Sequence, residues 1–207
     1  LEYQVIFLRD QDMTPEQHRD FGKRFGELHV HEYVKGLDDY PEVMRIIKTE
    51  ADTYNFGGTW HSDVTYHETP PLGSILYALE VPEVGGDTLF ASQYLAYETL
   101  SDCMKDLLDG RTATHSSEPI YGKSGAFNMR YQGSKTMAKP KNDIPVIMTE
   151  QPIFRTHPET GCKALYVNGN FTVRVAGLSE ADSAPILQRL YQHCTAPDFC
   201  CRFRWEK

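Results

Sequence analysis

No apolar run in this sequence approaches the roughly 20 residues of a membrane-spanning helix, so no membrane association is expected. No cluster of lysine and arginine stands out either. The 21 basic residues are set against 29 acidic ones, and with a net charge of −8 nucleic acid is not an expected partner. Cysteine is scarce. Cys103, Cys162, Cys194, Cys200 and Cys201 make an odd number with no Cys-x-x-Cys spacing, so ordinary reduced thiols are expected in place of a disulfide framework or a thiolate metal site. Leu1-Glu2-Tyr3 lacks the character of a signal peptide, and the expected location is cytoplasmic. There is no internal repeat. What remains, 207 residues with 40% hydrophobic and 24% charged content, suits one globular domain that builds its core without disulfides.

Val5, Ile6, Phe7 and Leu8 read as a buried strand, ended by the polar residues 9–12. A helix is expected from Thr14, with Pro15 at its first position, Gln17 completing a capping box, and Phe21, Phe25 and Leu28 as its apolar stripe. Residues 43–47, 57–66, 72–79 and 87–91 read as short strands between glycine and proline turns. A helical stretch over 92–108, restarted at Ser101, precedes a strand over 111–117. Residues 118–145 are rich in glycine and basic residues and poor in apolar periodicity. A loop of that length is read either as a lid over a site or as a surface excursion. Strands over 151–154 and 164–167 flank a turn at 157–161. A second helix starts at Ser179, with Asp182 in the capping-box position, and buries Leu187, Leu190, Tyr191 and Cys194. The end of the sequence alternates, with Cys201, Phe203 and Trp205 on one face and Arg202, Arg204 and Glu206 on the other. Many short strands with helical insertions predict a mainly β, α+β class: a double-sheet jelly roll (double-stranded β-helix) with flanking helices, as a single domain over 1–207.

The chemistry is concentrated in Trp60-His61-Ser62-Asp63. On an extended strand, residues two apart project to the same side, which lets His61 and Asp63 reach one metal ion. A further His would complete a two-His-one-carboxylate triad and leave positions open on a non-haem Fe(II). Alone, a His-x-Asp is a chance match in many chains, and two ordinary polar residues at a strand end are the competing explanation.

The surroundings add weight. Asn55-Phe56-Gly57-Gly58-Thr59 leads into the motif, and Val64-Thr65-Tyr66 and Thr69-Pro70-Pro71 follow it. Then come Gly85-Gly86-Asp87-Thr88, Phe154-Arg155-Thr156-His157-Pro158, Leu165-Tyr166-Val167-Asn168 with Phe171-Thr172, and Arg202-Phe203-Arg204-Trp205. This succession resembles the taurine dioxygenase family of Fe(II)- and 2-oxoglutarate-dependent oxygenases, from about residue 5 to the end of the sequence. The resemblance implies a jelly-roll fold, with Fe(II) bound by His61 and Asp63 and with 2-oxoglutarate and O2 as co-substrates. It places the hydroxyl of Thr88 on the distal carboxylate of 2-oxoglutarate, His31 on the substrate's acidic group, and Phe171 over the substrate.

The implied reaction hydroxylates a small organic acid (a sulfonate, sulfate ester or aryloxy acid) and yields succinate and CO2. Asp63 fills the position that related halogenases leave open for chloride, which favours hydroxylation. Gly57 and Val34 stand where taurine enzymes carry an Asn and a Tyr, which points to a bulkier or less polar substrate than taurine. The family's second iron-binding His and its 2-oxoglutarate-binding Arg lie roughly 10–30 residues beyond the Arg-Phe-Arg-Trp strand, and the triad needs that His. The sequence stops at Lys207, so a domain incomplete at its C-terminus is expected; His115, His157 and His193 are not substitutes. The family is commonly oligomeric, and the expectation leans to a homo-oligomer. Two alternatives stay open: a catalytically incomplete member acting as a binding module, and a cupin-like metal protein without 2-oxoglutarate chemistry.

Overall fold

Helix α1 (Pro15–Gly22) starts where the sequence caps it. The Thr14 hydroxyl accepts from the Gln17 N–H at 3.2 Å, and Gln17 Oε1 accepts from the Thr14 N–H at 2.8 Å. A computed structural model describes residues 2–50, 52, 55–131 and 144–206. The helix ends at Gly22, so the expected stripe is cut short: Phe25 is exposed and Leu28 lies beyond the last turn.

Strand β1 (Thr88–Ala91) leads into α2 (Gln93–Glu98) and α3 (Asp102–Leu108). The restart falls at Ser101, whose hydroxyl accepts from the Met104 N–H. Strand β2 (Thr112–Ser116) is the centre of an antiparallel sheet, between β3 (Met148–Pro152) and β6 (Thr172–Val175). Two short helices, α4 (Glu118–Tyr121) and α5 (Ala126–Tyr131), stand where a structureless loop is expected. Residues 132–143 of that stretch lie outside the described residues, and with them much of the expected lid. Strands β4 (Phe154–Thr156) and β5 (Lys163–Leu165) form a hairpin around the expected turn, with Gly161 at φ +71.

Helix α6 (Glu180–Cys194) buries Ser183, Leu187, Leu190 and Cys194, the spacing of one helical face. Tyr191 is half-buried, and its hydroxyl donates to the Thr172 carbonyl at 2.7 Å, pinning α6 to β6. A 3-10 turn (Pro197–Phe199) then feeds β7 (Cys200–Phe203), which pairs antiparallel with β1. Cys200 is half-buried and Cys201 exposed. Among the described residues the architecture mixes six helices with seven short strands, in sheets of two, three and two strands. One core cluster gathers Leu108, Ala113, Ile153, Leu165, Val175, Leu187 and Leu190. The other, made of Tyr33, Val34, Val64, Tyr66, Phe127 and Phe171, borders the site.

Several expected strands are absent among the described residues. Residues 5–8 are irregular and outward-facing, with Ile6 72% exposed. There the Val5 N–H turns back to the Tyr3 carbonyl instead of joining a ladder, and Phe7 alone docks, stacked on Phe203 at 3.5 Å. Residues 43–47 and 72–79 are irregular, and 63–66 form a turn. An apolar run predicts burial, but a strand also needs a neighbour for its backbone groups. Here those groups are taken up locally, as in Val43 N–H to the Tyr40 carbonyl and His67 N–H to the Val64 carbonyl.

Candidate functional site

The His61–Asp63 segment is not the extended strand that the motif suggested, yet its side chains converge. His61 precedes the turn, and Asp63 opens it. Val64 adopts φ +54, a left-handed conformation that a β-branched residue takes only under strong constraint. The constraint comes from neighbouring elements. The Thr65 hydroxyl contacts His115 Nδ1 of β2 at 2.9 Å and accepts from Asn168 Nδ2 at 3.2 Å. Gln151 of β3 donates to the His67 carbonyl at 2.6 Å. A β-bulge between Thr114 and His115 aims the imidazole at this turn, as bulges near functional sites commonly do.

His61 Nε2 lies 3.2 Å from Asp63 Oδ1. His61 Nδ1 meets the Thr59 carbonyl at 2.6 Å, which requires a proton on Nδ1 and turns Nε2 toward Asp63. Ser74 donates to Asp63 Oδ2 at 2.7 Å and fixes the carboxylate's orientation. The His61 contact holds the Asp63 carboxyl below its ordinary range, against the opposing effect of burial and with help from Ser74. The same contact raises the His61 imidazole above its ordinary value, burial opposing and the Thr59 carbonyl assisting. With Nδ1 protonated, an Nε2 lone pair and a carboxylate oxygen share one space. That arrangement asks for a proton or a metal cation between them, and its donor chemistry suits a divalent transition ion.

His31 and Phe171 belong to the adjoining aromatic cluster. His31 is buried; its Nδ1 accepts from the N–H groups of Tyr33 (3.1 Å) and Val34 (3.3 Å), which leaves the proton on Nε2, 3.3 Å from the Tyr121 hydroxyl. Phe171 is buried edge-on against Tyr66, with ring centroids 5.0 Å apart. Thr88 stands on a different sheet at the start of β1, where its hydroxyl accepts from the Trp205 indole at 2.8 Å. Gly57, at φ +67, lies where an added Cβ would come 3.5 Å from His61 Cε1, so this glycine lines the motif directly. His193 bonds the Ala96 carbonyl at 2.7 Å, joining the end of α6 to α2.

Sequence reasoning missed His29, Glu32 and His67. Among the described residues they form a three-ligand group of His and carboxylate atoms, and no such group includes His61 and Asp63. Linear spacing offers little sign of it, because His67 joins the other two only through the fold.

The profile of a family described as taurine catabolism dioxygenase TauD, TfdA family, matches residues 1–207. The chain belongs to this family. An alpha-ketoglutarate-dependent sulfate ester dioxygenase of Pseudomonas putida is 32% identical over 208 residues, covering 100% of this chain and 67% of that protein. Among solved structures, a taurine dioxygenase from Burkholderia xenovorans superposes with a TM-score of 0.71 at 34% identity, covering 96% of this chain and 62% of that one. AAD-2, solved in complex with Mn(II) and N-oxalylglycine, gives a TM-score of 0.68 at 28% identity, over 96% of this chain and 67% of that one. The chain spans about half to two thirds of the length of several curated relatives that it matches, from 48% to 67%. No described helix is long and apolar enough to cross a membrane.

Proposed function

We propose that this chain carries the metal-binding motif of a jelly-roll Fe(II)- and 2-oxoglutarate-dependent dioxygenase. Its substrate is a small organic acid of the sulfonate, sulfate ester or aryloxy acid class. The observation that carries the reading is the pairing of His61 Nε2 with Asp63 Oδ1 at 3.2 Å, with Nδ1 tied to the Thr59 carbonyl and Oδ2 to Ser74. The names of relatives support the substrate class: sulfate ester, phenoxypropionate and 2,4-dichlorophenoxyacetate dioxygenases. On this reading the enzyme works in the cytoplasm as a homo-oligomer, with residues 1–207 forming part of one jelly-roll domain in each copy.

His61 and Asp63 would hold the Fe(II), and Thr88 would hydrogen-bond the distal carboxylate of 2-oxoglutarate. Iron with 2-oxoglutarate and O2 supplies the oxidising power that hydroxylates the substrate, leaving succinate and CO2. The protein's own residues do the arranging. Thr59 keeps the His61 tautomer with Nε2 unprotonated, and Ser74 keeps one Asp63 oxygen facing inward. His31, whose Nε2 lies 3.3 Å from the Tyr121 hydroxyl, would stand at the substrate's acidic group. Phe171, buried edge-on against Tyr66, would cover the substrate. Val34, buried beside His31, and Gly57 would suit a substrate larger or less polar than taurine.

The test is turnover of a panel of alkyl sulfate esters, alkylsulfonates and aryloxyalkanoates, following succinate and O2 together. Succinate formed one-for-one with O2 on at least one class is expected. Activity on a substrate without 2-oxoglutarate consumption would overturn the reading in favour of a cupin-like metal protein. No turnover with any of them would favour a binding module.

A further inference from the structure

Side chains from two distant stretches of sequence meet in a cluster that does not include the His61–Asp63 pair. His29 Nε2 stands 3.4 Å from Glu32 Oε2, and His67 Nε2 stands 3.1 Å from Glu32 Oε1. The two imidazole rings are 5.3 Å apart, edge to face. One donor atom from each of the three residues lies within 4.8 Å of the others.

These contacts fall short of good hydrogen-bond geometry: His29 Nε2, His67 Nε2 and Glu32 Oε2 are shut off from solvent without a well-aligned partner among the described residues. Leaving a buried polar atom unbonded costs about 1–3 kcal/mol, so such a cluster calls for an explanation. A shared ion supplies one. With metal–ligand bonds of about 2.0–2.1 Å, neighbouring donors on a tetrahedral ion lie about 3.3 Å apart, between the 3.1 and 3.4 Å separations of the two imidazoles from Glu32.

We propose that His29, Glu32 and His67 form a second divalent-metal site, separate from the His61–Asp63 pair, that takes zinc or a first-row ion of similar character. Two imidazoles and one carboxylate suit Zn(II), Co(II) or Ni(II), whereas Ca(II) and Mg(II) call for oxygen-rich shells. Glu32 is prepared for the role. Burial works against its charge, but its own backbone N–H and the two imidazoles hold the carboxyl below its ordinary range.

The site goes beyond the dioxygenase reading, which uses none of the three residues. His31 stands between His29 and Glu32 in the chain, and Asp63 lies four residues before His67. An ion here would clamp the segment that carries His31 to the turn that carries Asp63. Its role is structural, setting the distance between a substrate-facing residue and the proposed iron-binding turn.

Co(II) titration followed by visible absorption, with Zn(II) displacement, tests the proposal on the wild-type protein and on His67→Ala, Glu32→Gln and His61→Ala. One Co(II) equivalent should be lost in both His67→Ala and Glu32→Gln and kept in His61→Ala. Zinc at about 100-fold above this site's dissociation constant should raise Tm by roughly 5–10 °C in His61→Ala, and that increment should be missing from His67→Ala and Glu32→Gln when each is compared with the wild type. Glu32→Gln preserves shape, so its loss of cobalt with a native circular dichroism spectrum separates ligation from misfolding. Unchanged cobalt binding and an unchanged zinc-induced Tm rise in Glu32→Gln and His67→Ala would overturn the site and leave an ion-pair cluster only. If His61→Ala binds as much metal as the wild type, the iron-ligand assignment fails while the second site stands.

Discussion

His115 is fully buried in the central sheet, bonded to Thr65 on one side and facing Thr172 on the other. Burial pushes its pKa down to about 4, with the Arg155 charge adding to the effect. In the unfolded chain the imidazole titrates near its ordinary 6.5. Between these values the unfolded state binds a proton that the folded state refuses, so stability is complete above pH 6.5 and falls as the pH drops toward 4. Each pH unit in that window is worth about 1.4 kcal/mol, and the whole window costs about 3 kcal/mol. His115→Gln removes the titration. It should also destabilise the protein by roughly 1–3 kcal/mol at pH 7, through the lost Thr65 contact and imperfectly paired hydroxyls. Urea unfolding of both proteins at pH 7, 6, 5 and 4 reads the difference directly, since every other titrating group cancels. The stability gap should shrink by about 3 kcal/mol across the series and can reverse sign at the acid end. A constant gap would show that His115 takes up its proton in the folded state and would refute the reasoning.

Two further outcomes follow from the same geometry. Ser74→Ala frees Asp63 Oδ2 and should weaken iron binding roughly tenfold in a metal titration, with little change in Tm, because the lost bond orients a ligand on a half-exposed side chain. Gly57→Ala places a Cβ at φ +67, beside His61 Cε1, and should cost about 1 kcal/mol by urea unfolding while raising KM for the largest substrates more than for the smallest.

Local signals were the legible part of the fold. The capping box at Thr14, the cap at Ser101 and the α6 face through Leu187, Leu190 and Cys194 depend on residues within one or two turns, and the structure places them as expected. The failures involve partners remote in sequence. Ile6 and Leu8 look like core residues, but no ladder accepts their segment and they stay exposed. The side chains of His61 and Asp63 converge, but not as the motif suggested: a strand was expected to align them, whereas a turn does so, held by His115, Gln151 and Asn168. Those anchors sit 50 to 103 residues from their partners, so no motif scan around Trp60 would reveal them. His29, Glu32 and His67 were illegible for the same reason.

His61 and Asp63 would hold the iron that binds 2-oxoglutarate. Anaerobic titration of the protein with Fe(II) and 2-oxoglutarate, watching the visible metal-to-ligand charge-transfer band, tests this most directly when run beside Asp63→Ala. A saturable band in the wild type that is absent from a folded Asp63→Ala is the predicted result. An equal band in both proteins would show that Asp63 is not an iron ligand.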